Sequence, residues 1–418
     1  TATSLSTPSG SLDLHASSGQ LALAKCGLLE QFKSQAAECS EEMIISDAEG
    51  VVRYHDQGHG GDRPEISRNA LTELLLSGVP EDLIRWETKV LSVDSSASSP
   101  GKGKRWNITS SRKANSTSST SNTEAQEKEK EEIDDFDLVI GADGAWSKAR
   151  ASLPATASPF YSGVSAITLT LPNLSTHPTL SRLLGGGTFW ACAPRRTLMA
   201  HNGSLDTARI YLMLASPSET HLHSNQLTSL TGPEMARRLL EPPNADSRLE
   251  LEPEPGLELF QSFSREVKDL ITAACLSNPA TDVVDAKPLY MLPPTHNTWT
   301  HTPGLTLVGD AAHLMTPFAG EGVNCAMLDA LELSKAIIAS HAHGGDLDKG
   351  VEGFERRMWR RNRAIAEDTH GNLKLIFHDE RAPEGIVRDF ESHGGVVKLM
   401  GMGFGFLRGK VSEFLGYD

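Results

Sequence analysis

Apolar and polar positions change period several times along the chain, and each change marks an expected element. Leu21, Leu23, Leu28 and Phe32 recur at near-helical spacing across residues 19–32, which predicts a short amphipathic helix with Gly27 as its weak point. Two β-prone runs, 43–45 and 51–54, flank a turn containing Asp47 and Gly50, the pattern of a hairpin. A helix is predicted over 67–78, opened near Ser67 and closed at Gly78, followed by strands at 83–86 and 89–93. Residues 136–144 read as a buried strand entering a glycine turn, and short β-prone runs then dominate from 161 to 216. A Pro- and acid-rich loop at 242–256 precedes helices expected near 258–275, 323–340 and 351–376. Helices and strands in this order predict a layered α/β fold.

One stretch interrupts the pattern. Residues 95–135 are rich in Ser, Thr, Asn and Lys and end in a charge run, with only Trp106 and Ile108 suggesting a strand, so a disordered surface insertion is expected there. The cluster Arg356, Arg357, Arg360, Arg361 and Arg363 reads as a solvated helix face paired with neighbouring acids, with a contribution to attracting NADPH as the alternative.

Composition narrows the function. The 418 residues carry a formal charge of -15, which argues against nucleic acid or an anionic membrane as partner. The longest apolar runs are too short for a membrane span. Five cysteines, Cys26, Cys39, Cys192, Cys275 and Cys325, lack CxxC spacing, so neither a metal centre nor a dithiol redox pair is expected, and a reducing, cytoplasmic setting follows. The absent cysteine pair also disfavours a flavin disulfide reductase.

The chemistry concentrates in residues 305–337, LTLVGDAAHLMTPFAGEGVNCAMLDALELSKAI. A buried strand ends at Gly309, Asp310 offers a carboxylate at its carboxyl end, and a second glycine turn precedes a helix whose free N–H groups and positive dipole end suit an electron-rich ring. This stretch is similar to the ribityl-binding motif of flavoprotein hydroxylases, and FDLVIGADGAWSKAR at 136–150 is similar to their DG-containing motif. SGSLDLHASSGQLALAKCGL near the start, PEISRNAL at 64–71 and TLMAHNGS at 197–204 are similar to segments of tetracycline-inactivating flavin monooxygenases and related fungal proteins. The chain therefore resembles the FAD-dependent aromatic-ring monooxygenases of the para-hydroxybenzoate hydroxylase fold.

The resemblance implies a Rossmann-like FAD/NAD(P)-binding domain at 1–40, 65–160 and 300–345, a β-sheet substrate domain at 41–64 and 161–299, and a C-terminal helical region at 346–418 that includes a long helix. It implies FAD and NADPH or NADH as cofactors, molecular oxygen as co-substrate, and hydroxylation of an aromatic or polyketide-like small molecule through a flavin hydroperoxide. By motif match, Asp13, Arg68, the backbone of Val90 and Asp310 would contact FAD, with Pro317, Gly320, Gly322, Val323 and Asn324 around its ring. Thr168, Arg196 (adjacent to the matching Thr197), Ile210 and Phe318 fall at substrate positions. Thr168, Thr197 and Ile210 stand where the tetracycline-inactivating enzymes carry glutamine, arginine and histidine, so tetracycline is not the expected substrate. For Asp143, Gly144 and Arg150 a structural role is expected, and His313 reads as a packing residue.

No GxGxxG turn precedes Asp13, where the resemblance implies a strand–GxGxxG–helix–strand unit. The chain is accordingly expected to be an N-terminally truncated form with weak FAD retention. A catalytically silent, flavin-free binding protein of the same fold is the alternative.

Overall fold

The computed structural model describes residues 10–36, 42–58, 64–96, 105–112, 130–203, 206–241, 259–278, 282–295, 298–342 and 344–392. Its centre is a seven-stranded sheet built from β2 (Met43–Asp47), β3 (Val52–Asp56), β9 (Phe160–Pro172), β10 (Thr188–Ala193), β11 (Arg196–Gly203), β12 (Thr207–Ala215) and β13 (Asp285–Met291). The order is β13-β9-β12-β11-β10-β2-β3, and β10 runs parallel to β2 while the other neighbours are antiparallel.

Side chains alternate across this sheet, and the two faces differ. Leu169, Leu198, Ala200, Ala208, Ile210 and Leu212 point to an outer face sealed by α4 (Gly232–Leu240) and α5 (Arg265–Ser277) through Met235, Leu239, Leu270 and Ile271. The inner face is covered at one end only, where Trp190, Met199 and Met213 pack with Phe377 of α7 (Leu347–Phe377) and Phe390 of α8 (Glu384–Ser392). The rest of the inner face is open.

A second layer holds the parallel pair β8 (Val139–Gly141) and β14 (Leu305–Leu307), covered by α6 (Gly322–Ala342) and α7. Gly141 is required where it stands, because a Cβ there would lie 2.4 Å from Ala149 Cβ and 2.7 Å from a Leu307 methyl. Glu355 of α7 is fully buried and ties this pair down, accepting from Trp299 Nε1 (3.0 Å) and Thr306 Oγ1 (2.8 Å). Burial pushes its carboxyl above the ordinary range, and the Thr306 and His301 bonds only partly offset this.

Three expectations change on contact with the structure. The helix at 19–32 is two helices, α1 (Gly19–Lys25) and α2 (Leu29–Gln35), broken at Gly27 with φ +75°. Residues 83–86 are not a strand: a 3-10 turn at Glu81–Leu83 leads into β5 (Thr88–Ser95), after α3 (Arg68–Ser77). The segment 95–135 is not one disordered insertion, because β6 (Trp106–Arg112) and β7 (Lys130–Phe136) form a three-stranded antiparallel sheet with β5. Trp106 anchors it: its ring is buried in the core of the β8–β14 layer, and its Nε1 donates to Pro303 O at 2.9 Å. One buried indole outweighs a composition that otherwise favours solvent. The loop expected at 242–256 lies outside the described residues.

Candidate active site

A cavity of about 1660 Å³ joins the β14–α6 connection to the inner face of the seven-stranded sheet. Strand β14 ends in Gly309, at φ +59° and ψ −144°, a conformation open to glycine alone among common residues. This turn presents Asp310 to the cavity with its side chain exposed. Behind the turn lies a buried ionic network. Asp329 of α6 accepts from the Gly309 N–H (3.1 Å) and from His313 Nε2 (2.5 Å), while Arg361 bonds both Asp329 (2.5 Å) and Glu332 (2.8 Å). Burial alone would raise the Asp329 carboxyl, but His313, Arg361 and the Gly309 N–H together hold it below its usual range. Arg361 is thus buried in a structural network and is not part of a solvated face, whereas Arg356 and Arg363 pair with Glu352 and Glu367 on the surface.

The second turn carries Pro317, Phe318, Gly320, Glu321, Gly322 and Val323, all of which line the cavity. Gly320 is left-handed (φ +68°), and a Cβ placed on Gly320 or Gly322 would meet nothing within 4 Å. The backbone at the start of α6 therefore faces open space, as a planar ring approaching the helix N-terminus requires. Phe318 is both lining and core, edge-on to Phe377 at a centroid distance of 5.3 Å.

Asp13 ends β1 (Ser11–Asp13), which pairs with β4 (Glu65–Ser67), and the same pairing brings Arg68, the first residue of α3, to the cavity wall. Asp13 bonds His15 Nε2 at 3.0 Å, and His15 Nδ1 lies 3.6 Å from Glu321. Asn324 does not line the cavity. Its amide oxygen accepts from His15 N (2.9 Å) and Ser18 Oγ (3.1 Å), and its Nδ2 donates to Asp13 O (3.0 Å), so it fastens the β1 loop to α6. Val90 lies in β5 away from the cavity, and the structure does not bring it to the other residues named for FAD.

Asp143 and Arg150 are occupied by the fold. Asp143 accepts from Ser147 Oγ and Lys148 N at the start of a short helix, and Arg150 donates to Ala145 O and, at 2.9 Å, to Ala311 O, tying the Gly144 turn to the Gly309 turn. Gly144 lines the cavity.

On the sheet, Thr168 lines the cavity, but Arg196 and Ile210 do not. Ile210 is fully buried in the outer core, one residue out of phase with the inner face. Arg196 also turns outward, donating to Leu259 O at 2.6 Å with its guanidinium 5.8 Å from the Phe263 centroid. Thr197 is on the inner face but fully buried beside Cys192. The residues that do present themselves are Trp190, Met199, His201, Arg209, Tyr211 and Met213. Sequence reasoning missed these, although the strand patterns TLMAH and ARIYLML carry His201 and Arg209 as conspicuous polar interruptions. Among the described residues no cluster of His, Cys, Asp or Glu fits a metal ion, and no helix is long and apolar enough to cross a membrane.

A strand ending in a glycine and a carboxylate, a glycine turn opening a helix, and one face of the seven-stranded sheet thus border one cavity. The profile of the FAD binding domain family matches residues 248–359. The chain is 37% identical over 396 residues to the monooxygenase penA of Penicillium thymicola, covering 90% of this chain and 87% of the relative. It is 35% identical over 404 residues to the monooxygenase asqM of Emericella nidulans, with the same coverages of 90% and 87%. In fold it is similar to Klebsiella pneumoniae HpxO complexed with FAD and uric acid (TM-score 0.66, 15% identity, 97% of this chain and 90% of that one). It is also similar to the tetracycline destructase Tet(51) (TM-score 0.56, 16% identity, 95% and 86%). The chain belongs to the FAD-dependent monooxygenases of the para-hydroxybenzoate hydroxylase fold.

Proposed function

We propose that the protein is an NAD(P)H-consuming hydroxylase of a planar aromatic or polyketide-like small molecule. The observation that carries this reading is the single cavity shared by the Gly309–Asp310 turn, the Gly320–Gly322 turn and the inner sheet face. FAD, when bound, supplies the oxygen chemistry: NAD(P)H, O2, a proton and the substrate give NAD(P)+, water and the hydroxylated product.

The residues of this chain bind and orient. Asp310 would accept hydrogen bonds from the ribityl hydroxyls, and Arg68 and Asp13 line the same cavity. The N–H groups at the start of α6, with Pro317, Gly320, Gly322 and Val323, would hold the ring. Asn324 and the Asp329–His313–Arg361 network keep the two turns in place without touching the ligand. Thr168 and Phe318 border the substrate space. In this division residues 41–64 and 161–299, which carry most of the seven-stranded sheet, recognise substrate, and 1–40, 65–160 and 300–345 recognise the cofactor. The four described cysteines, Cys26, Cys192, Cys275 and Cys325, are free, in keeping with a cytoplasmic setting.

The test is to saturate the protein with FAD, supply NADPH or NADH with a panel of planar phenols and aromatic polyketides, and follow pyridine-nucleotide oxidation together with isotope incorporation from labelled dioxygen. A product carrying one labelled oxygen is expected. Aromatic binding without any FAD uptake would instead support the flavin-free binding protein.

A further inference from the structure

Two carboxylates face the two ring nitrogens of one buried imidazole at the edge of the cavity. His15 Nε2 lies 3.0 Å from Asp13 Oδ2, and His15 Nδ1 lies 3.6 Å from Glu321 Oε2. Side-chain exposure falls along this line, from 27% at Asp13 to 8% at His15 and 2% at Glu321, so one end meets water and the other is enclosed. Both ends border the cavity, Asp13 on β1 and Glu321 in the Gly320–Gly322 turn. Asn324, at the start of α6, fixes the spacing, because its amide accepts from His15 N and donates to Asp13 O. The 3.6 Å gap is in ion-pair range, and a shortening of under ~1 Å makes it a hydrogen bond, as acid–base contacts do when a site fills.

The titratable and charged groups around this line are Glu65 of β4, opposite Asp13 across the strands, Arg68 on the cavity, His201 of β11 in the field of Asp13, and Cys325 of α6 in the field of Glu321. Burial, and then the charge of Arg209, push the His201 pKa down to about 4, so that ring is neutral at neutral pH. Burial, and then the charge of Glu321, push the Cys325 thiol well up, so it keeps its proton. Neither competes with His15 for a proton near neutral pH.

A buried carboxyl that borders a reaction space and is joined to water through an imidazole is what proton delivery requires, and the overall reaction consumes one proton. We propose that Asp13, His15 and Glu321 form a proton relay, in which Glu321 delivers a proton into the cavity and Asp13 refills the line from water. The proposal rests on reading this cavity as the site of FAD and substrate. Asp13 passes a proton to His15 Nε2, the resulting imidazolium releases its Nδ1 proton to Glu321 Oε2, and Glu321 gives its proton to the oxygen that leaves as water. The net change is one proton moved from solvent, and no bond between heavier atoms forms or breaks within the relay.

The test is proton uptake when bound FAD is reduced, which needs neither pyridine nucleotide nor substrate. The full chain saturated with FAD is mixed with reduced methyl viologen, a proton-free electron donor, in weakly buffered solution near neutral pH, and flavin absorbance and a pH-indicator dye are followed together. Wild type is expected to take up about one proton more per FAD than Glu321→Gln, because negative charge added beside a carboxylate favours its protonation. His15→Asn should reach the wild-type total about a hundredfold more slowly, the low end of what a positioned acid–base group contributes. A merely structural role for His15 would lower flavin content and leave the uptake rate of the remaining FAD unchanged. Asp13→Asn should slow uptake as His15→Asn does, which keeps the test decisive if one variant loses its flavin. Equal uptake in wild type and Glu321→Gln, or the wild-type rate in His15→Asn or Asp13→Asn, overturns the relay and leaves the cavity reading intact. Failure of the wild type to take up FAD overturns the cavity reading and the relay with it.

Discussion

The two faces of the seven-stranded sheet come from the same strands and differ by a one-residue step. Ile210 and Leu212 on the outer face are sealed under α4 and α5, while Arg209, Tyr211 and Met213 beside them border the cavity. The outer face carries stability, because Leu169, Leu198, Ala200, Ile210 and Leu212 there are enclosed by apolar neighbours. The inner face carries recognition, because part of it has no protein to pack against. A fold that alternates these roles residue by residue allows substrate preference to change with little effect on the core.

The largest effect that could break this comparison is on the outer face. Ile210→Ala is expected to lower unfolding free energy by about 2–5 kcal/mol, as cavity-creating substitutions in sealed cores do, with aromatic-ligand affinity unchanged. Urea denaturation beside ligand titration checks both halves, and a stable variant with altered ligand binding would put Ile210 on the wrong face.

Met199→Ala on the inner face is expected to behave in the opposite way. Its side chain is buried in the inner core but also borders the cavity, so the stability loss should fall toward the lower end of the about 2–5 kcal/mol range for buried Met→Ala changes, while planar-ligand affinity drops. A loss as large as that at Ile210, with ligand binding intact, would dissolve the distinction between the faces.

A smaller, pH-dependent effect sharpens the comparison further. Because the folded pKa of His201 is about 4, below the roughly 6.5 of an unfolded histidine, the unfolded chain takes up the proton first. The stability this neutral imidazole secures is complete above about pH 6.5 and declines as pH falls toward 4. His201→Gln should flatten the slope of denaturation midpoint against pH within that window, and an unchanged slope would mean that the ring is protonated as readily folded as unfolded.

The same alternation explains which features were legible in the sequence. The strand–turn–helix at 305–342 stood out because an uninterrupted apolar run meets glycines whose conformations other residues rarely adopt, and the backbone itself makes the site. The substrate residues were harder to read. Runs such as TLMAH and ARIYLML are apolar on both faces, so no alternation shows which parity faces the cavity, and the positions taken from the resemblance fell one residue off the inner face at Ile210, beside Arg209, and at Arg196, beside Thr197. Asn324 falls in the right turn, but its three bonds to the β1 loop depend on residues more than 300 positions away. Strands β6 and β7 were hidden for a related reason, since their polar composition is stabilised by pairing with β5 and by one buried tryptophan.

The central claim is that the Gly309–Asp310 turn holds the cofactor while the sheet across the cavity holds the substrate. Equilibrium titration of FAD into wild type, Asp310→Ala and Thr168→Val tests it most directly. Loss of a charge-assisted hydrogen bond to the ribityl chain is expected to weaken FAD binding about tenfold to a hundredfold in Asp310→Ala, whereas Thr168→Val should bind FAD as wild type does. Equal FAD affinity in all three proteins, or a loss confined to Thr168→Val, would contradict the account.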